Sequence, residues 1–208
     1  MTIDASVWQS AGNILQAQAN LNKLLEAFDL VKCQFPNLAI EYDDSDGGDG
    51  EFIQPVWNTY YSVKRSSRRN AKVVAWVTLA IQMTCNEGVA ADWNFGKRAK
   101  VLVGYCPMPS FDDAWEFDVE SPNSAGCLEG CEIDETHWRL DEGRGAISWF
   151  YAVPLDQMTS TAAVRRLIAG PLHEILQGSD PQNPKDILKN IEPHLCRPPN
   201  VRPDQPEV

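Results

Sequence analysis

No stretch of this sequence is apolar enough to cross a bilayer. The longest apolar run lies near Val73 to Ile81, far short of the ~20 residues a membrane helix needs. The first six residues, Met1-Thr-Ile-Asp-Ala-Ser6, carry an acid and lack a basic flank leading into an apolar run, so no secretory signal is expected and a cytoplasmic protein is. Bases are also in short supply, 18 against 29 acids, for a net charge of −11. Such a field disfavours nucleic acid and anionic membranes and attracts basic proteins. There is no internal repeat, no Gly-x-Ser-x-Gly and no phosphate-cradling glycine loop, since Gly47-Gly-Asp-Gly50 places a carboxylate where phosphate would sit.

What is present is ample core material. The chain is 208 residues long and 43% hydrophobic, with seven Trp. A domain of this size buries roughly 70% of the surface its unfolded chain exposes, so neither metal nor disulfide is required. Residues 1–196 read as one α+β domain, and 197–208, with four prolines in twelve residues, as a disordered tail. The six cysteines (33, 85, 106, 127, 131 and 196) are expected to be free thiols.

The negative charge is concentrated. Glu41 to Glu51 holds six acids and no base; Asp112 to Glu142 holds eleven acids against Arg139 alone, leaving the rest of the chain mildly basic. The spacing of Val7, Ala11, Ile14, Leu21, Leu25 and Phe28, widened by Trp8, Leu15 and Leu24, predicts a long amphipathic helix from about Ala5 to Val31, with Pro36 preventing continuation. Leu38 to Tyr42 reads as a short strand, and Asp43 to Gly50 as a turn or loop. In Lys72–Cys85 every odd position from Val73 to Cys85 is apolar, which predicts a strand with one face in the core, paired as a hairpin with Val56 to Val63. Ala99 to Cys106 continues the sheet, and Trp115, Phe117 and Val119 alternate with Glu116, Asp118 and Glu120 as a further strand with a wet face. Cys131 to Leu140 and Ala146 to Val153 flank the hairpin turn Asp141-Glu-Gly-Arg-Gly145. Helix returns near Ser160, where Pro171 should kink or split it, and Asn183-Pro184 opens a short helix. The fold class is therefore α+β: an antiparallel β-meander packed by a long N-terminal helix and C-terminal helices.

Metal and catalytic constellations are thin. An EF-hand starting at Asp44 would need glycine where Asp49 stands and glutamate where Pro55 stands. Cys127 and Cys131, with His137, have a zinc-like spacing, and His194 with Cys196 forms a second small cluster, yet neither has the paired spacing of a zinc ribbon. His173-Glu174 lacks the second histidine of a zincin. No metal, cofactor or catalytic residue is assigned. The surface features that remain are the acids Asp112, Asp113, Glu116, Asp118 and Glu120, and the basic turn with Lys64, Arg65, Arg68 and Arg69. Both are candidates for partner binding; the basic turn equally suits a solvated hairpin tip that guards the sheet from edge pairing.

The order of elements resembles the type III secretion chaperone-like fold, including YbjN-type proteins. The likeness rests on a long helix ending Leu24-Leu-Glu-Ala-Phe28, the meander, then Ile147-Ser-Trp-Phe-Tyr-Ala-Val-Pro-Leu-Asp156 feeding Ala162-Ala-Val-Arg-Arg-Leu-Ile-Ala169. It covers roughly residues 14–85 and 131–177, and the chain departs from it by an extra acidic segment and a second C-terminal helix. The resemblance implies an acidic, often dimeric, non-enzymatic protein that binds another polypeptide. The leading expectation is thus a chaperone-like or inhibitory protein-binding module whose acidic surface meets a basic partner, with a homodimer permitted by the helix stripe. A hydrolase or transferase assembled from dispersed Asp/Glu, His and Cys, and a DNA-mimic inhibitor, are the alternatives.

Overall fold

The computed structural model describes residues 3–45, 55–66, 71–83, 98–118 and 131–196. The calcium register, Cys85, Arg68, Arg69, Glu120, Cys127 and the proline-rich tail lie wholly or mostly outside them. Helix α1 (Ile3–Ala27) runs into a 3-10 turn (Phe28–Val31), and eight strands follow among the described residues: β1 (Cys33–Phe35), β2 (Leu38–Ser45), β3 (Val56–Lys64), β4 (Val73–Gln82), β5 (Lys100–Cys106), β6 (Cys131–Ile133), β7 (Trp138–Asp141) and β8 (Ile147–Pro154). They form one open antiparallel sheet in the order β1-β2-β3-β4-β5-β8-β7-β6. Strands β1 to β5 are the expected meander. The last three turn back on it, so that β8 rather than β6 pairs with β5, as in a Greek key. After β8 come α2 (Thr161–Val164), a π-helical turn (Arg165–Ala169), α3 (Gly170–Gln177) and α4 (Lys185–Lys189). The α+β class is as expected, and no helix among the described residues is long and apolar enough to cross a membrane.

The odd positions of β4 and their neighbours do form one core face. Val77, Leu79, Ile81, Val101, Val103, Tyr151 and Val153 pack beneath Phe28, Leu167, Ile168, Leu172 and Ile175 of the helices. Each such side chain contributes roughly 1.5–3 kcal/mol on burial. The even face, expected to be mixed, is buried too: Trp76, Thr78, Ala80 and Gln82 are all at most 5% exposed. Strand β2 also departs from expectation, running on through Asp43 and Asp44 to Ser45 past a bulge between Tyr42 and Asp44. The backbone pairing there outweighs the turn preference of aspartate.

Pro171 acts as its chemistry requires. It has no amide hydrogen to give the Leu167 carbonyl four residues back, and the helix widens into the π turn immediately before α3. The buried Tyr151 hydroxyl donates to that Leu167 carbonyl at 3.1 Å, replacing the missing amide. Gly170 completes the arrangement, because a Cβ there would stand 2.8 Å from the Arg165 carbonyl oxygen. Other buried aromatics pin the helical layer through their polar tips: Tyr61 donates to Phe28 O (3.3 Å) and Trp149 Nε1 to Pro181 O (2.8 Å). We expect Tyr151→Phe to cost ~1–3 kcal/mol in urea unfolding, because it strands a buried carbonyl. In a Pro171→Ala background, which restores an amide donor, the same substitution should cost measurably less.

Candidate interaction surface

The second face of the sheet is closed by the chain segment 107–118, whose residues Trp115–Asp118 were expected to be a strand. They pair with no strand; the segment lies across the sheet instead of beside it. Phe111 contacts Tyr60 and Trp76 edge-on, with ring centroids 5.0 and 5.1 Å apart. Trp115 stacks on Phe117 (5.9 Å) and meets Phe150 edge-on (5.0 Å). Its ring is seated on β5 at Gly104, where an added Cβ would lie 2.7 Å from the indole. Phe117 is buried with Leu102, Trp138 and Phe150, and Trp138 stacks on Phe150 at 4.7 Å.

Hydrogen bonds fix the same segment to three strands. Trp76 Nε1 donates to Pro109 O (3.3 Å), and Trp115 Nε1 to Tyr105 O (3.1 Å). The Asn58 amide bridges Phe117 from both sides, donating to its carbonyl at 2.9 Å and accepting from its N–H at 3.2 Å. Gln82 Nε2 donates to Asp118 O at 2.9 Å. A side-chain amide thus supplies the pairing that a neighbouring strand would otherwise give.

The alternation read from the sequence survives with a different meaning. Trp115 and Phe117 point at the sheet, Phe111 lies edge-on over Tyr60 and Trp76 while 43% exposed, and Asp112, Asp113, Glu116 and Asp118 are exposed. The first two sit in a 3-10 turn, Phe111–Asp113. Four of the five acids singled out therefore form one exposed ridge on the sheet face opposite the helices. The basic candidates stand apart at the end of β3. Lys64 is tied to Glu41 at 2.5 Å, and Arg65 is exposed.

The histidines and cysteines do not converge. His173 donates from Nε2 to Val31 O at 3.0 Å and lies edge-on to Phe35, so it fastens α3 to the end of the N-terminal helix. His194 faces Gln157 at 3.4 Å. Cys33, Cys106, Cys131 and Cys196 are free thiols. Burial pushes Cys33 and Cys106 up to about 11 and Cys196 up to about 12, which keeps them protonated and poorly nucleophilic. Among the described residues, no group of three His, Cys, Asp or Glu is placed to hold a metal ion.

A feature no sequence signal marked is a cavity of about 1140 Å³ beside α1. Leu21, Leu24, Ala27, Leu30, Met83, Leu155 and Met158 line it, together with Lys23, Glu26, Arg98 and Asp156. Its walls come from four separate segments, so no local pattern could reveal it.

His137 occupies the tight turn between β6 and β7. It is fully buried, its Nδ1 lies 3.0 Å from Thr136 Oγ1, and its Nε2 has no hydrogen-bond partner. Burial pushes its pKa from 6.5 down to about 4; Arg139 and Lys185 add to the depression, and Asp134 opposes it. Asp134 itself is held below the usual carboxylate range, because the Lys185 hydrogen bond (3.0 Å) and its other polar neighbours outweigh its desolvation. The unfolded chain takes up the His137 proton near pH 6.5 and the folded chain only near 4, so stability is lost as pH falls through that window. We expect a loss of ~3 kcal/mol across it from this group. His137→Gln should flatten the upper part of the dependence, measured as urea midpoints between pH ~7.5 and ~5.

Comparison with protein-family models, with curated proteins and with solved structures gave no match for this chain.

Proposed function

We propose that this protein is a non-catalytic binding module that engages a basic region of another polypeptide through the ridge Asp112, Asp113, Glu116 and Asp118. The observation that supports this reading is the way the ridge is held. Its acids are exposed, while the residues between them are locked to the sheet by three aromatic side chains and a reciprocal Asn58 pairing. Carboxylates carried on a fixed backbone lose less conformational freedom on binding than those of a free loop.

Charge of this kind acts mainly on association. Each exposed ion pair is worth only ~0.2–1 kcal/mol, but a one-signed ridge on a chain of net charge −11 steers a basic partner and raises its on-rate. The element order resembling the type III secretion chaperone-like fold supports the same reading, and chaperone-like or inhibitory action belongs to the proposal with it.

The test is capture of partner proteins by the full chain at low and raised salt, beside a variant carrying Asp112→Asn, Asp113→Asn, Glu116→Gln and Asp118→Asn. A basic partner held by the unsubstituted chain, released by salt and held at least ~10-fold more weakly by the variant is the expected result. Failure to retain any protein, or equal retention by the variant, would overturn the proposal.

A further inference from the structure

From Trp8 onward, the buried side chains of α1 are confined to its C-terminal end, and Ile14, Ala17 and Gln18 before them are half-buried. The first buried residue over that span is Leu21, followed by Leu24 and then by Phe28 and Val31 of the 3-10 turn. From Trp8 to Asn20 none is buried, with Trp8 83% and Leu15 62% exposed. At 1.5 Å per residue, Trp8 to Asn20 spans ~20 Å of helix beyond that contact.

Two properties mark this stretch out. First, it is free of charge: from Ala5 to Asn22 there is no Asp, Glu, Lys or Arg, in a chain where such residues make up 23%. Its amide side chains are bonded along the helix, Gln9 to Asn13, Gln16 to Asn20 and Gln18 to Asn22. Such a helix gains nothing from ion pairs and is marginal in water without packing. Second, Trp8, Gly12, Leu15 and Ala19 follow steps of four, three and four, the spacing of a coiled-coil seam. At 100° per residue this seam lies ~180° from the side that carries Leu21, Leu24 and Phe28, so it faces away from the chain's own body.

We propose that this seam is the contact between two copies of the chain, paired antiparallel about a two-fold axis. Each copy carries a net charge of −11, and a self-contact is tolerated best where neither surface is charged. A basic or acidic partner would find nothing here to read. The seam is also self-complementary in one register. With the axis between residues 13 and 14, Trp8 stands opposite Ala19 of the second copy and Leu15 opposite Gly12, a large side chain over a small one at each of the four positions. A parallel pair would set Trp8 on Trp8 and leave Gly12 facing Gly12. Half the surface of a ~20 Å helix is roughly 400 Å², below the ~800 Å² per partner of a standard interface. The pair is therefore one that dissociates on dilution.

Sedimentation velocity of the full chain over a range of concentrations tests this. The expected mass at high concentration is twice the 23.2 kDa of one chain, falling to one chain on dilution, and raised salt should not weaken it. Leu15→Glu and Trp8→Glu should each stay at 23.2 kDa throughout with an unchanged circular-dichroism spectrum. Ile133→Glu, which replaces an exposed apolar side chain on β6, should still pair. For the register, a mixture of Gly12→Cys and Leu15→Cys chains should cross-link on oxidation more than either alone, against the unsubstituted chain as background for the native thiols. A single-chain mass at every concentration, or pairing that survives Leu15→Glu, overturns the proposal; cross-linking no greater in the mixture overturns the antiparallel register. Because ridge binding weakens with salt and this contact does not, the failure of either reading is separable from that of the other.

Discussion

The central strands of the sheet have no wet face. In β3, β4, β5 and β8 nearly every residue on both sides is buried, so the chain must supply two covers. Helices are an efficient cover for one, since Leu167, Ile168, Leu172 and Ile175 present a continuous apolar stripe. Among the described residues the second is the largely extended segment 107–118, reinforced where Cys196 donates its N–H to Ala152 O at 2.8 Å. An extended chain covers area poorly, which explains why its inward positions are aromatic: Phe111, Trp115 and Phe117 each bring a large apolar surface at small backbone length.

The same constraint places the charge. In an extended segment successive side chains point to opposite sides, so anchoring Trp115 and Phe117 turns Glu116 and Asp118 outward, while the 3-10 turn Phe111–Asp113 carries Asp112 and Asp113 out. Asp112, Asp113, Glu116 and Asp118 are the outward set. Acid at these positions also serves the fold, because an apolar outward set would offer a third layer to any exposed sheet or helix. Among the described residues, the ridge on one face and the uncharged, unburied stretch of α1 are thus two surfaces on which the chain departs from an ordinary mixed exterior.

Much of the architecture was legible from periodicity. The alternation in β4, the Asp141–Gly145 turn and the stripe of α1 each led to the correct element, because burial on one side leaves a regular trace. The errors have a common physical source. Trp115 to Asp118 alternates like a strand because any extended segment with one buried side does, and only its pairing partner distinguishes the two; here that partner is the Asn58 side chain. The even side of β4 looked mixed because Thr78 and Gln82 are polar, although both are buried. In α1 one wide apolar stripe was read where there are two, and only the coordinates show that Leu21 to Phe28 packs while Trp8 to Leu15 does not. His137 stood out in the sequence only for its spacing from Cys127 and Cys131; its burial left no trace there, since burial of one histidine in a turn depends on which distant residues close over it.

Whether the ridge is held as rigidly as its contacts require is open to one direct measurement. Native-state hydrogen exchange would follow the Phe117 amide, which donates to Asn58 Oδ1, and the Trp115 indole N–H, which donates to Tyr105 O. Both should be protected to a degree approaching the amides of β4 and β5, and Asn58→Ala should expose Phe117 without releasing those strands. Exchange of these two protons at the rate of an unstructured chain, with the sheet amides still protected, would contradict the account.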